Sequence, residues 1–468
     1  MAMNTQMSAS EPFALSLPQR EEAFTVTSFT GHEAVGELYS ILVHAVTDEG
    51  DETLSTALLQ QPASLLFQSD GTTVRTIHGI VARVQSHGVM LGGRRAYSLT
   101  IVPSFWKLKR RRTRRVFQAM TTLEIATQVL GEWNVANRLV IQRELLTRAY
   151  TVQYDETDFA FLVRLFAEDG LLYFFEHLIL PPDGQGETLV LSDTPGDFSP
   201  IDGDGTLHFQ RDPGSQIRED MVTWFTNQTS VRSTHAVVRG YDFQRPDAPL
   251  GDDAASEDAV DGLDVMYEHE GSYETDLDAR PAQMRLDHER AKAQRVFGAT
   301  FCRRLVPGAT FTLIEHEDTN LNRDFVVTQI EHEGYAPGTA PAGRSVYQNR
   351  FRCAPSDTTL RPAHGPRKPN QVAESAVVVG PENQEIYTDE FGRVKVQFPW
   401  DLEGTNDDRS SCWLRVVQAW AGAGWGAQFI PRVGIVIIVT LASTQSTRRR
   451  PPVPSVPARS PAICKFLT

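Results

Sequence analysis

Cysteine is scarce in this sequence: there are four, at Cys302, Cys353, Cys412 and Cys464. No two form a Cys-x-x-Cys pair, and all are far apart. That pattern speaks against a zinc site or a disulfide framework and for a chain made and kept reduced in the cytoplasm. A run of about 18 apolar residues is also missing, which excludes a membrane-spanning helix. Residues Met1 to Pro12 have neither a basic start nor an apolar stretch, so no N-terminal signal peptide is expected. Export would need a route that reads no such signal. Sequence signs of chemistry are missing too. There is no Gly-x-Ser-x-Gly elbow, no Gly-x-x-x-x-Gly-Lys phosphate loop and no His-Glu-x-x-His helix. The net charge of −14 argues against a general nucleic-acid binder.

What is present is β-rich. The 468 residues suffice for two to four domains. Apolar and polar residues alternate through Phe24, Val26 and Ser28, and again through Leu38, Ser40 and Leu42, with Gly31 read as the turn between these strands. The pattern recurs at Leu65 and Phe67, then Ile77, Gly79 and Val81, then Tyr97, Leu99 and Ile101. Turns are expected at Asp70-Gly71 and Gly92-Gly93. Two helices interrupt this series. One spans 121–133 with Glu124 in its first turn and an apolar stripe of Leu123, Ala126, Leu130 and Trp133. The other spans 157–169, stops at Gly170, and buries Phe159, Leu162, Val163 and Phe166. A third helix is expected from about Arg280 to Val296. The stretch 245–278 reads as a polar loop, and 354–372 as a Pro-rich linker.

The densest signal lies at Asn383 to Gly434. Thr388 to Gly392 is a turn, after which Val394, Val396 and Phe398 alternate with Lys395 and Gln397. Trp413, Arg415 and Val417 begin a further strand. Gly422, Gly424 and Gly426 bend the backbone before Phe429-Ile430-Pro431. Short strands of this kind fit an OB-type barrel.

This passage resembles the VgrG family, the tip spike of type VI secretion systems. The resemblance rests on Thr388-Asp389-Glu390-Phe391-Gly392-Arg393-Val394-Lys395-Val396-Gln397-Phe398-Pro399-Trp400-Asp401, then on Trp413 to Val416 and on Trp420 to Gly434. Three further blocks agree with it: Phe24 to Gly36, Tyr150 to Phe175, and the pair Cys302 to Gly308 with Tyr347 to Phe351. The resemblance implies a mainly β chain with a few helices. Residues 12–353 would form a phage-tail-hub-like region of β-barrels, 354–382 a linker, 383–442 an OB-type barrel, and 443–468 a disordered or aberrant tail. It implies a homotrimeric structural protein, not an enzyme, with no cofactor and no metal. Its partners would be an Hcp-like tube protein, tip and effector proteins, and transiently a target-cell membrane. Secretion would follow the type VI route. A prophage tail hub, or a hydrolase or effector-carrying variant, is the alternative. From Gly434 the sequence departs from the family pattern, reading Ile435-Val436-Ile437-Ile438-Val439 and then Arg448-Arg449-Arg450-Pro451-Pro452. A frameshift or degraded copy would account for that, and it puts closure of the barrel, the needle and piercing in question.

Several local patterns have a bland reading beside a sharp one. Glu268-His269-Glu270, Glu315-His316-Glu317 and Glu331-His332-Glu333 contain metal-ligand types. On a strand, however, each His points away from its flanking Glu residues, so polar strand ends are the plainer account. Gly422 to Ala427 partly matches a dinucleotide fingerprint but has β signals on both sides. Lys107 to Arg115 carries seven bases in nine residues, and Asp252 to Asp278 carries eleven acids. The first is expected to be a solvated face or a subunit contact, with the second as its complement. Trp400, Trp413, Trp420 and Trp425 are the expected contact residues of the collar, with burial inside one subunit as the alternative.

Overall fold

The structure is a computed structural model that describes residues 11–18, 23–48, 53–90, 93–179, 181, 186–193, 198–211, 218, 220–240, 250–256, 264–269, 281–341, 346–363, 372–422, 425–442 and 463–467. Its centre is one twelve-stranded sheet folded into two barrels. In the first, the spatial order is Phe13–Ser16, Pro62–Ser69, Thr72–Val89, Arg95–Val102, Ser40–Thr47 and Thr25–Ala34. In the second, Asp324–Tyr335, Thr310–Ile314, Thr206–Phe209, Met221–Thr229, Gln294–Thr300 and Tyr347–Pro355 form a ring. The ring closes because Tyr347–Pro355 pairs back onto Asp324–Tyr335. Closure removes the open strand edges that a flat sheet would expose.

The period-two alternation of the sequence becomes the two barrel interiors. Phe13, Phe29 and Phe67 meet edge to face in the first, with Phe13 and Phe29 centroids 4.8 Å apart. Tyr347, from the second barrel, is packed into this first core. Phe225, Phe311, Phe325 and Phe351 fill the second. Burying each such side chain contributes roughly 1.5–3 kcal/mol.

The barrels are joined by one antiparallel pair, Thr25–Ala34 against Asp324–Tyr335. Gly31 sits in the middle of this pair, opposite His332, and so is not the turn that the sequence suggested. The turn comes later, at Gly36, whose φ is +77°. Gly31 is needed for space: a Cβ there would lie 2.5 Å from Ile41 Cδ1 and 3.4 Å from His332 Cδ2. The Asp70-Gly71 turn is present, with φ of 50° and 76°, as a two-residue hairpin of this twist requires.

A helical layer covers the barrels. Thr122–Glu132 begins with a capping box in which Thr121 and Glu124 exchange hydrogen bonds, a device that stabilises a helix start by ~1 kcal/mol. The second helix, Asp158–Glu168, is capped by Thr157 and followed by Gly170 at φ +64°. Its fully buried face is Phe161, Leu162, Leu165 and Phe166, while Phe159 and Val163 pack only partly buried against the same cluster. The expected stripe is therefore rotated, because the stretch Ser104–Arg110, the strand Arg148–Thr157 and the first helix all pack on this helix. The third helix is shorter than expected, Pro281–Arg290, and the chain turns into a strand at Gln294.

The region read as an acidic loop holds structure. Leu250–Ala255 and Val265–His269 flank His235–Gly240 in a small sheet, on which Ala282 and Leu286 of the third helix pack. Three of its described acids have near partners. Asp253 pairs with Arg239 and Glu268 with Arg285, while Asp252 accepts from the Ala282 amide at 2.8 Å.

The collar is a five-stranded sheet in the order Lys395–Gln397, Val372–Val379, Val436–Ala442, Ile463–Leu467 and Arg415–Val416. Val372–Val379 lies inside the stretch read as linker; its run of Val and Ala fits a buried strand better than a spacer. The unusual Ile435-to-Val439 segment does not open the sheet. Val436–Ala442 pairs with it from Val372↔Leu441 to Val377↔Val436, and Ile437 and Val439 are wholly buried. The β-branched run keeps the inward alternation even though it departs from the family pattern. In the stretch expected to lack structure, Ile463–Leu467 forms a strand beside it. An unpaired edge is a ready template for such a short apolar segment.

Replacing Gly31 by Ala forces Ile41 out of its position. We expect a loss of about 1–3 kcal/mol, typical of overpacking, read as a lower midpoint in urea unfolding. An unchanged midpoint would show that the seam between the barrels tolerates a side chain there.

Candidate functional site: the hub–collar joint and the collar hairpin

The basic run is the place to begin, because its charges have partners other than those expected. Ser104–Arg110 is a 3-10 turn, and Arg112–Met120 forms a two-stranded ribbon with Arg148–Thr157. Arg111 contacts Glu132 and Asp158, the latter at 2.6 Å. Arg115 meets Glu132 at 2.8 Å and Asp158 at 3.6 Å. Asp158 is buried and also accepts from Trp133 Nε1 and Gln153 Nε2, both at 2.8 Å. Burial works against Glu132 ionising, but the hydrogen bonds from Arg111 and Arg115 outweigh it and hold its carboxyl below the usual range. Among the described residues, no acid of 252–278 takes part in these contacts; the partners come from the ribbon and its two helices.

Arg114 carries the ribbon to the collar. Its guanidinium lies 4.4 Å from the Tyr154 ring centroid and 6.0 Å from that of Trp400. The two rings meet edge to face at 5.8 Å. Glu374, on the first collar strand, accepts from the Tyr154 hydroxyl and from Arg114 at 3.4 Å. Burial and the Glu374 hydrogen bond push the Tyr154 hydroxyl up to about 12, so it stays a donor. Gln118 donates to the Arg409 carbonyl of the collar at 2.5 Å. Tyr150 goes further and packs against the collar core of Val378, Val394, Val396, Phe398 and Val439. The hub therefore supplies part of the collar's interior. Cation–π and aromatic contacts of this kind fix orientation as well as energy.

The four tryptophans divide. Trp400 stacks on Phe398 at 4.8 Å and is used in the joint. Trp413 is half-buried between Tyr387, at 4.9 Å, and Lys395 Nζ, at 5.1 Å. Trp420 and Trp425 stand on opposite strands of a hairpin, Trp420–Gly422 with Trp425–Ala427, their rings 5.6 Å apart. They are 65% and 58% exposed, and Phe429 beside them is 66% exposed. The base of the hairpin is pinned where Gln418 both donates to and accepts from the Phe429 backbone. An apolar cluster this prominent is unusual on a solvated surface. The glycine pattern at 422–427 sits in this hairpin, with no helix after it, so it cannot cradle a dinucleotide.

The Glu-His-Glu triplets do not converge. His316 lies on Phe209 at 4.2 Å, and His332 is buried against Glu33 at 2.6 Å. Glu270 lies outside the described residues. Among the described residues no group of three or more His, Cys, Asp or Glu is placed to hold a metal, and no helix is long and apolar enough to cross a membrane. Arg114, Tyr150, Tyr154, Glu374 and Phe429 escaped sequence reasoning, since only the fold brings the ribbon to the collar.

Two closed or wrapped barrels, a ribbon-and-helix layer and an OB-type collar define a contractile-tail baseplate hub with an injector collar. The phage tail baseplate hub (GPD) family matches residues 32–338, and the type VI secretion system/phage-baseplate injector OB domain matches residues 376–452. The chain belongs to that hub family and is similar along most of its length to VgrG spike proteins. The spike protein VgrG4b of Pseudomonas aeruginosa is 32% identical over 455 residues, covering 91% of this chain and 54% of its own length. VgrG3 of Vibrio cholerae is 33% identical over 393 residues, covering 82% of this chain and 38% of its own. The chain thus spans about half or less of these relatives. Among solved structures, the Escherichia coli c3393 protein, described as a type VI component similar to the phage T4 proteins gp27 and gp5, matches with a TM-score of 0.63 at 17% identity. That match covers 90% of this chain and 99% of that one. A Francisella PdpA–VgrG complex matches at 0.58 and 8% identity, covering 93% and 75%. At these identities the two structures speak for the fold alone.

If Tyr150 completes the collar core, Tyr150→Ala leaves a cavity there and destabilises the collar by about 2–4 kcal/mol. Tryptophan emission, to which Trp400, Trp413, Trp420 and Trp425 contribute, is expected to shift at lower denaturant than the far-ultraviolet signal. Coincident, unshifted transitions would contradict a shared core.

Proposed function

We propose that the chain is a structural component of a type VI puncturing spike, a homotrimeric hub and collar at the tip of the secretion tube. The observation that carries this reading is the exposed collar cluster of Trp420, Trp425 and Phe429, on a barrel held rigidly to the hub through Arg114, Tyr154 and Glu374. A threefold arrangement brings three such hairpins together and covers them, as a closed ring does for any self-complementary edge. In this reading the hub runs from about residue 12 to 355 and the collar begins at Val372, which the strand limits Tyr347–Pro355 and Val372–Val379 support.

In this role the protein performs no bond chemistry. Sheath contraction supplies the work, and the chain contributes shape and stiffness. The tube face meets an Hcp-like protein, the tip and attached effectors ride ahead, and the target membrane is met transiently. Export follows the type VI route, and no nucleic acid or cofactor takes part.

The test is complementation in a type VI-active bacterium whose own spike genes are deleted. The wild-type chain is expected to restore release of the tube protein. Trp420→Asp with Trp425→Asp is expected to reduce that release about tenfold or more, since lost aromatic anchors commonly cost about 2 kcal/mol or more each. No release with the wild-type chain, or full release with the double variant, would overturn the reading.

A further inference from the structure

The strand pair that joins the two hub barrels carries a histidine–carboxylate contact on each face. Thr25–Ala34 reads His32-Glu33 and Asp324–Tyr335 reads Glu331-His332, so the antiparallel pairing sets each histidine near the opposite strand's glutamate. The two contacts differ in kind. On the inner face, His332 Nε2 donates to Glu33 Oε1 at 2.6 Å, and its Nδ1 lies 2.8 Å from the Tyr347 hydroxyl. Asn349 donates to that hydroxyl at 3.1 Å, leaving its proton for His332 Nδ1. Arg75 pairs with Glu33 and donates to the Leu305 carbonyl at 2.6 Å. This inner set is complete with a neutral imidazole.

The outer face is different. His32 Nδ1 lies 2.7 Å from Glu331 Oε1, and His32 Nε2 lies 3.0 Å from Glu37 Oε2. Ionised carboxylate oxygens only accept. Both contacts are hydrogen bonds only if both ring nitrogens carry protons. The groups facing this ring are Glu331 from the partner strand and Glu37 from the turn that follows its own strand. Gln329 donates to Glu331 at 3.0 Å, and Arg350 stands opposite Glu331 in the register.

We infer that the seam between the hub barrels carries a proton-dependent clamp on its outer face only: His32 clamps Glu331 and Glu37 only as the imidazolium, while the Arg75–Glu33–His332–Tyr347 set makes its hydrogen bonds with a neutral imidazole. Burial acts to lower the His32 pKa, but the hydrogen bonds of Glu331 and Glu37 prevail and raise it above the ordinary 6.5. A raised histidine pKa stabilises fully below the unfolded value and loses that contribution as pH climbs through the folded one. The outer clamp therefore tightens on mild acidification. For Glu33, burial acts to raise the pKa, and the Arg75 charge with the His332 hydrogen bond overrides it, holding the carboxyl well below the usual range. Burial holds His332 below the ordinary 6.5 despite its Glu33 contact, so the inner ring stays neutral and its stabilisation runs with pH in the opposite sense to that of His32.

The full chain tests this directly. Thermal midpoints are measured from pH 6.0 to 8.5 for the wild type, for His32→Gln and for Glu187→Gln. Glu187 is included because burial pushes its carboxyl up to about 7, which tilts stability in the same direction over this range. The wild type is expected to lose about 1–3 °C with rising pH through the His32 contribution, the scale of a partly exposed charge contact in a chain of this size. His32→Gln is expected to lack that contribution, and Glu187→Gln to retain it. A second readout is the His32 ring in nitrogen-15 NMR, expected to be doubly protonated at pH 6.5. A neutral ring there, or identical pH slopes for wild type and His32→Gln, would overturn the proposal.

Discussion

Everything in this molecule hangs on the pairing of Thr25–Ala34 with Asp324–Tyr335. It is a contact between residues about three hundred apart in the chain, and it turns two barrels into one continuous sheet. The pairing is tightly specified. A slip of one residue would send Phe29 and Ile330 to solvent and bring His32 and Glu331 inward. Gly31 admits the His332 ring, and Glu33 with Arg75 fills the polar space behind it. A buried charge set such as this contributes little net stability, since desolvation offsets most of the attraction. Its effect lies in register: no shifted pairing satisfies Glu33, Arg75 and His332 together.

From that seam the rest follows outward. The helical layer packs through Phe161 and Leu165 on a cluster that includes Tyr173 and Phe175, and Phe175 meets Tyr39 of the first barrel's core at 5.1 Å; the arginine-rich ribbon is fastened to the buried Asp158. The ribbon then passes orientation to the collar by way of Arg114 and Tyr150. Contacts are thus continuous from hub to collar hairpin, which the proposed spike role requires of a part that transmits an axial push. The exposed aromatics lie at the far end of this chain of contacts, on the face that the proposal makes a docking surface.

The strands of the first barrel were legible because alternation at Leu65, Phe67, Leu99 and Ile101 is a local signal with a period of two. The capping box at Thr121 and Glu124 was legible for the same reason. Gly31 was misread because a glycine between two apolar runs has two physical meanings, turn or close approach, and only the position of Ile41 and His332 decides between them. The acidic stretch was misread because Asp252, Asp253 and Glu268 find partners in Arg239, Arg285 and a helix amide that lie elsewhere in the chain. Val372–Val379 was obscured by its Pro-rich neighbours. In the candidate site, Trp420 and Trp425 stood out by their residue type. Arg114, Tyr154 and Glu374 did not, since ordinary surface residues gain a role only when two domains meet over them.

The central claim is that this chain is one third of a ring. The direct measurement is its mass in solution at micromolar concentration, by sedimentation equilibrium. The account predicts a particle of three 52.2 kDa chains. A stable monomer at that concentration would contradict it.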